Sequence, residues 1–315
     1  MTGYLIRRVA QATVVVFGVV LLTFLLTKLI PGGYARSALG QRATPAAIEE
    51  FNHAHGYDRS IFYQFGNYFW QLLHGNLGYS YKYNQSVVSL LQGKIPKTLV
   101  LVGLSTVFAL IVAVPLGILQ VVRRNKPVDY ALTGMSFVLY SMPAFLLGTL
   151  LILWFSIDLG WFEFEAPQAS SVWGIISDPR GWILPVITLS AITIAGFSRY
   201  MRSSLMETMT EDYIRTARAK GASPNRVMYR HALRNALIPI ITLLGLTIPA
   251  IIGGAIITET VFNYPGMGLL TTQAAVATNV PVLIGTTFVA AIATVLGNLI
   301  ADLLYAVADP RVRYA

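Results

Sequence analysis

Residues Thr98 to Val122 read TLVLVGLSTVFALIVAVPLGILQVV, without a single Asp, Glu, Lys or Arg. A helix needs about 20 predominantly apolar residues to cross the hydrocarbon of a bilayer, and this stretch supplies them. Outward from it the pattern recurs: Tyr130 to Ile157, Gly181 to Ser198, Asn235 to Thr258 and Thr260 to Ala301 are also free of charge, while Val9 to Ile30 holds only Lys28, near its end. The last run is interrupted by Asn263-Tyr264-Pro265-Gly266, which reads as a turn before a separate helix over roughly Val282 to Val307. The fold class is therefore an all-α integral membrane protein with six transmembrane helices.

Composition excludes a soluble domain. Of 315 residues 55% are hydrophobic and 12% charged, with a mean hydropathy of +0.61, whereas soluble domains carry about 25% charged residues. The chain has no cysteine, hence no disulfide framework and no thiolate chemistry. A formal charge of +9 would suggest nucleic acid in a soluble chain; here it reports orientation, and no nucleic-acid partner is expected. Arg123, Arg124 and Lys126 outnumber Asp129 in the 123–129 connection, and eight Lys or Arg face three acids in 199–235. Both connections should be cytoplasmic. The 158–180 connection has four acids and only Arg180, and 259–281 has Glu259 and no base, so both should lie outside. Arg7-Arg8 and the C-terminal Arg311 and Arg313 place both termini inside. The 31–97 segment must then be external although it holds six Lys or Arg, as long loops escape charge counting.

The expected organisation is a cytoplasmic N-terminus with helix 1 (1–30), an extracytoplasmic segment (31–97), a transmembrane domain (98–307) containing a cytoplasmic loop (199–235), and a cytoplasmic tail (308–315). A Lys at mid-membrane costs about 2.5–3.5 kcal/mol, so Lys28 reads as an interfacial anchor that snorkels. The length of the first apolar run, with no Ala-x-Ala site after it, favours an uncleaved anchor over a signal peptide. In 31–97 two helices are expected, near Pro45 to His55 behind a Thr44 N-cap and near Ile61 to His74. Phe62, Phe65, Phe69 and Leu72 form a stripe on the second, which either packs on membrane helices or serves as a platform for an external partner. Kinks are expected at Pro115, Pro143, Pro185, Pro239 and Pro249. Gly253-Gly254 suit close helix packing, and Asn298, Asp302 and Tyr305 share one helix face.

The stretch Met201 to Arg234 carries the functional information. Met206, Met209, Tyr213 and Ala217 recur at helical spacing as one apolar stripe. Gly221 suits a helix C-terminus, and Ser223-Pro224 suits the cap and first position of a second helix running towards Arg234. The result is an elbow of two helices, either packed on the membrane base or docking a cytoplasmic partner.

The run Asp212-Tyr-Ile-Arg-Thr-Ala-Arg-Ala-Lys-Gly221, followed by Arg230-His-Ala-Leu-Arg-Asn-Ala-Leu-Ile-Pro239, resembles the coupling loop of permease subunits of binding-protein-dependent ABC importers of the dipeptide and oligopeptide type. Arg215-Thr216-Ala217 stand where the general pattern has Glu-Ala-Ala, Gly221 takes its Gly, and His231, Leu233 and Arg234 replace its Ile, Leu and Pro. The similarity continues through Tyr4-Leu-Ile-Arg-Arg8, Leu29-Ile-Pro-Gly32, Gly75-Asn-Leu-Gly78, Ile95-Pro-Lys-Thr98, Pro115-Leu-Gly117, Glu259-Thr-Val-Phe262, Pro265-Gly266-Met-Gly268, Asp302-Leu-Leu-Tyr305 and Asp309-Pro-Arg-Val-Arg313. Gly33-Tyr34 depart from an expected Asp-Pro.

The resemblance implies a type I ABC importer permease fold in the cytoplasmic membrane. It also implies a heterodimer with a second homologous permease, cytoplasmic ATPase subunits that use ATP and Mg, and an extracytoplasmic substrate-binding protein landing on 31–97 and 158–180. It places Arg215, Thr216, Ala217, Arg218 and Gly221 at the ATPase contact, with both arginines facing acids of the ATPase groove. The substrate expected is a di- or oligopeptide, although relatives of this type also carry nickel, glutathione, haem or short sugars. No cofactor is expected on this chain and no catalysis: Gly93-Lys94 is followed by Ile95 and lacks the glycine of a phosphate loop, and the spacing of His53 and His55 is no basis for a metal site. The alternatives are an ion-gradient-driven secondary carrier, which would hold ionisable residues at the midplane, and a membrane-embedded enzyme, which would need converging acids, bases or metal ligands.

Overall fold

The structure, a computed structural model, describes residues 2–29, 33–40 and 42–308. It is helical: α1 (Thr2–Lys28), α2 (Gly33–Leu39), α3 (Pro45–His55) and α4 (Ile61–Leu73) precede a two-stranded antiparallel ribbon, β1 (Tyr79–Ser80) and β2 (Gln85–Ser86). Then follow α5 (Val87–Val122), α6 (Pro127–Ser141), α7 (Ala144–Leu151), α8 (Val172–Ile176), α9 (Pro179–Thr208), α10 (Asp212–Ala219), α11 (Pro224–Arg226), α12 (Leu233–Val261), α13 (Met267–Val276) and α14 (Val280–Ala308), with π-helical stretches at Ile152–Asp158 and Val227–Ala232. Among the described residues four helical stretches are long and apolar enough to cross a membrane: Ala10–Lys28, Val87–Val122, Pro179–Thr208 and Val280–Ile300. The pair Pro127–Ser141 and Ala144–Asp158, bent by 107°, makes a fifth if counted as one span. Residues 30–32 and 309–313, and the surroundings of Gly253-Gly254, Asp302 and Tyr305 within their helices, lie outside what the structure describes.

Only one of the five span prolines breaks its helix. Met142 is extended (φ −78, ψ 124) and Pro143 becomes the N-cap of α7, as expected where a proline ring drives the preceding residue out of the α region. The helical path runs on through Pro115, Pro185, Pro239 and Pro249, each of which lacks the N–H that would close its helical turn.

The chain forms two compact units. The first comprises Met1–Thr98 and Pro265–Leu296. Its outer helices start where their caps dictate: Thr44 Oγ1 accepts from Ala47 N at 3.3 Å, Pro45 takes the first turn, and Ser60 Oγ accepts from Tyr63 N. The α4 stripe packs on α1. Phe65 and Phe69 meet Phe17 edge-on at 5.7 and 5.5 Å, Phe65 meets Phe24 at 5.4 Å, and Leu72 is buried, while Phe62 remains 86% exposed. His55 stacks on Phe51 and bonds the Phe51 carbonyl through Nδ1. Three side chains tie the distant parts of this unit together. Asn279 Nδ2 donates to buried Ser80 Oγ (2.7 Å), Ser37 Oγ donates to Thr278 O (2.7 Å), and Thr98 Oγ1 accepts from Met267 N (2.8 Å).

The second unit, Leu99–Tyr264 and Gly297–Ala315, is built on α9, which packs against α6, α7 and α12. Gly117 on α5 allows a close approach to α9, since a Cβ there would lie 2.6 Å from Met201 Cβ.

In the first unit a Cβ on Gly285 would stand 2.4 Å from Val87 Cγ1. Gly285→Ala is expected to cost about 1–3 kcal/mol through overpacking. Val87→Ala in the same chain should recover most of the loss, as read from apparent Tm in detergent.

Candidate coupling site

The sequence expectation of an elbow holds at its turns. Helix α10 ends in a Schellman motif: Ala222 N donates to Ala217 O (3.1 Å) and Gly221 N to Arg218 O (2.9 Å), with Gly221 at φ +79. A Cβ at Gly221 would meet nothing within 4 Å, so the demand for glycine comes from the left-handed backbone, which costs other residues about 1–2 kcal/mol. Ser223 is extended, its Oγ accepts from Arg226 N, and Pro224 occupies the first turn of α11.

Two details differ from the sequence reading. The stripe through Met206, Met209, Tyr213 and Ala217 is not one helical face, because α9 ends at Thr208 and α10 begins at Asp212. The intervening turn resets the phase, so α10 is anchored by Ile214, which is fully buried among Leu205, Met201, Val227, Met228 and Ala232, while Tyr213 is 39% exposed. The second helix does not stop near Arg234 either. It passes through the π-helical stretch into α12 without a break, since no turn residue lies between Arg226 and Leu233. The elbow is thus joined to α9 by a short turn and runs directly into α12. Asn235 Nδ2 donates to Tyr213 Oη (2.7 Å) and Ser204 Oγ to Ala236 O (3.0 Å), joining α10 and α9 to α12.

The five candidate residues run round a full turn of α10 and into its C-terminal cap, with Ala217 and Arg218 on the same side as Ile214. Arg215, Thr216 and Arg218 on α10 and Gly221 after it are exposed, with Ala217 half-buried between them. Thr216 Oγ1 donates to Asp212 O, and Arg215 pairs with Asp212 at 3.2 Å. That pair is 72% and 95% exposed, so it adds little and leaves Arg215 free to exchange partners. The Arg218 side chain has no hydrogen bond or ion pair among the described residues.

Charge counting did not single out Asp129 and Arg202, yet they form the main polar clasp behind the elbow. Arg202 Nε and Nη2 donate to the two Asp129 carboxylate oxygens, each at 3.0 Å, and Asn125 N donates to Oδ2 at 3.0 Å. The two-pronged geometry fits guanidinium to carboxylate and binds the start of α6 to α9. The available signal was one acid inside an otherwise basic connection.

The fold and this elbow define a helical membrane permease. Residues 105–314 match the model of the "Binding-protein-dependent transport system inner membrane component" family, and 1–102 match that family's N-terminal membrane component. The chain belongs to this family. It is 36% identical to the oligopeptide transport system permease protein AppB of Bacillus subtilis, covering 100% of both chains. It is 35% identical to the di/tripeptide transport system permease protein DppB of Pseudomonas aeruginosa, covering 100% of this chain and 99% of that one. The MetNI methionine ABC transporter, solved in inward facing conformations, aligns with a TM-score of 0.54 at 19% identity over 70% of this chain and 96% of its own. That likeness shows the type I importer permease fold. The protein is thus a membrane-embedded transport subunit of an ABC importer, working with a binding protein and with separate ATPase subunits that hydrolyse ATP, which sets aside the secondary-carrier and enzyme alternatives.

Asp129 is 1% exposed, whereas the Arg202 side chain keeps 29%. Arg202→Met strands a buried carboxylate and should cost about 3 kcal/mol. Asp129→Asn, which keeps an acceptor for Asn125 and lets Arg202 reach water, should cost less. Apparent Tm values of the two variants in nanodiscs measure the asymmetry.

Proposed function

We propose that this chain forms half of the translocation path of an ATP-driven importer of di- or oligopeptides and pairs with a second, homologous permease. The observation that carries the reading is α10: it is seated within the second unit through Ile214, yet leaves Arg215, Thr216, Arg218 and Gly221 exposed. The two relatives named for oligopeptide and di/tripeptide transport support the substrate class.

The topology we propose has six spans with both termini in the cytoplasm. Four are the long apolar helices, the bent pair is a fifth, and α12 is the sixth. With 29 residues, α12 is about 43 Å long at about 1.5 Å per residue, more than the hydrocarbon thickness of about 30 Å. In this arrangement 31–97 lies outside, where a binding protein lands, 98–307 forms the transmembrane domain, and 308–315 is a cytoplasmic tail. The α10 elbow sits in the cytoplasm in a groove of the ATPase. ATP and Mg belong to that subunit. Closure of the ATPase pair would push α10, and because α10 is clasped to α9 and α12, the push would reach the spans as a rigid-body movement.

Aspartate tolerates the left-handed region better than most residues, so Gly221→Asp changes the contact more than the fold. Affinity capture of the solubilised importer is expected to recover the second permease but lose the ATPase with Gly221→Asp. Full recovery of the ATPase would remove Gly221 from the contact.

A further inference from the structure

The first unit encloses a cavity of about 400 Å³ lined by α1, the start of α2, α3, α4, the turns around Gly56 and Gly78, and the first turn of α14. Its size falls in the range of about 300–1,000 Å³ typical of small-ligand sites. The walls carry the phenols Tyr34, Tyr57 and Tyr68 and five carboxamides, Asn52, Gln64, Asn67, Gln71 and Asn76. Lys28 is the one Lys or Arg among the lining residues, and no Asp or Glu is among them.

The positive charge is held by neutral partners. Lys28 Nζ donates to Gln64 Oε1 and lies 4.9 Å from the centre of the Phe24 ring and 5.8 Å from that of Tyr57. Gln64 is fixed in turn, since its Nε2 donates to the carbonyls of Tyr57 (2.8 Å) and Arg59 (2.7 Å). The Tyr68 oxygen, buried from water, has no hydrogen-bond partner among the described residues. An unsatisfied buried group of this kind costs about 1–3 kcal/mol, which an acceptor on a ligand would offset. Burial pushes the Tyr34 and Tyr68 phenols up and that of Tyr57 up to about 12, so all three remain neutral hydroxyls near neutral pH.

Carboxamides both donate and accept, as peptide groups do, and a lone ammonium with no acid among the lining residues matches one carboxylate. We propose that this cavity binds the C-terminal end of a short peptide, with its carboxylate at Lys28 and its peptide groups against the carboxamides and Tyr68. The proposal rests on the peptide-importer reading and adds to it a substrate site on the permease itself, separate from the binding protein.

The test is equilibrium binding of radiolabelled tri-alanine to the complete importer in nanodiscs, without binding protein. Saturable binding is expected. Tri-alanine amide, which lacks the carboxylate, should compete about tenfold more weakly, and Lys28→Gln should weaken tri-alanine binding about as much, as befits loss of one charged hydrogen bond. Tyr68→Phe should weaken it less. The amide comparison uses the unaltered protein and so does not depend on any variant folding. Absence of saturable binding, or equal competition by acid and amide, would overturn the site. If the same importer in proteoliposomes with binding protein then imports tri-alanine, the importer reading stands without it; if it imports no peptide, both fall.

Discussion

Hydrocarbon offers a backbone N–H or C=O no water, so each must find its partner inside the protein. This constraint determines where the chain is allowed to leave helix. The long elements α1, α5, α9, α12 and α14 satisfy their own backbones, and departures are paired. At one end of the second unit Ala166 N donates to Phe262 O (2.9 Å), Gln168 Nε2 reaches the carbonyls of Ala166 and Asn263, and Asn263 Nδ2 donates to Glu165. Glu163 N and the Arg180 guanidinium close the neighbouring loop on the carbonyls of Arg180, Trp161 and Gly160. The helices can then approach closely only where side chains are small, as Gly117 does at Met201 and Gly148 at Val261 and Phe262.

The same economy shapes the elbow. Helix α10 is too short to persist alone in water. Its structure depends on one buried side chain, Ile214, one hydrogen bond from Asn235 at the start of α12 to Tyr213, and a left-handed glycine. A surface held this way is exposed but not loose. Behind it the Asp129–Arg202 pair fixes α6 to α9, so a force on α10 meets a braced set of helices.

What was legible in the sequence followed from strong local chemistry. Charge-free runs marked the long helices, and Thr44-Pro45, Ser223-Pro224 and Gly221 marked caps whose geometry is decided within a few residues. What was not legible depended on distance or on phase. Nothing local distinguishes Pro143, which ends a helix, from Pro185, which does not. The stripe from Met206 to Ala217 looked continuous because a three-residue turn preserves apparent spacing while rotating the face, and so Ile214 went unnoticed. Asp129 and Arg202 are 73 residues apart, as the three ties of the first unit are also remote in sequence, and no pattern within a window shows such pairs. The candidate contact residues came from family resemblance, and in the structure all of them but the half-buried Ala217 are exposed.

The central claim is that α10 transmits ATPase movement because Ile214 seats it. The most direct measurement is the ratio of peptide imported to ATP hydrolysed by the complete importer in proteoliposomes, comparing Ile214→Ala with the unaltered chain. Truncation here should loosen the seat by about 2–5 kcal/mol while leaving the exposed contact residues in place. The ATPase should stay attached and the ratio fall severalfold. An unchanged ratio, with α10 unseated, would contradict it.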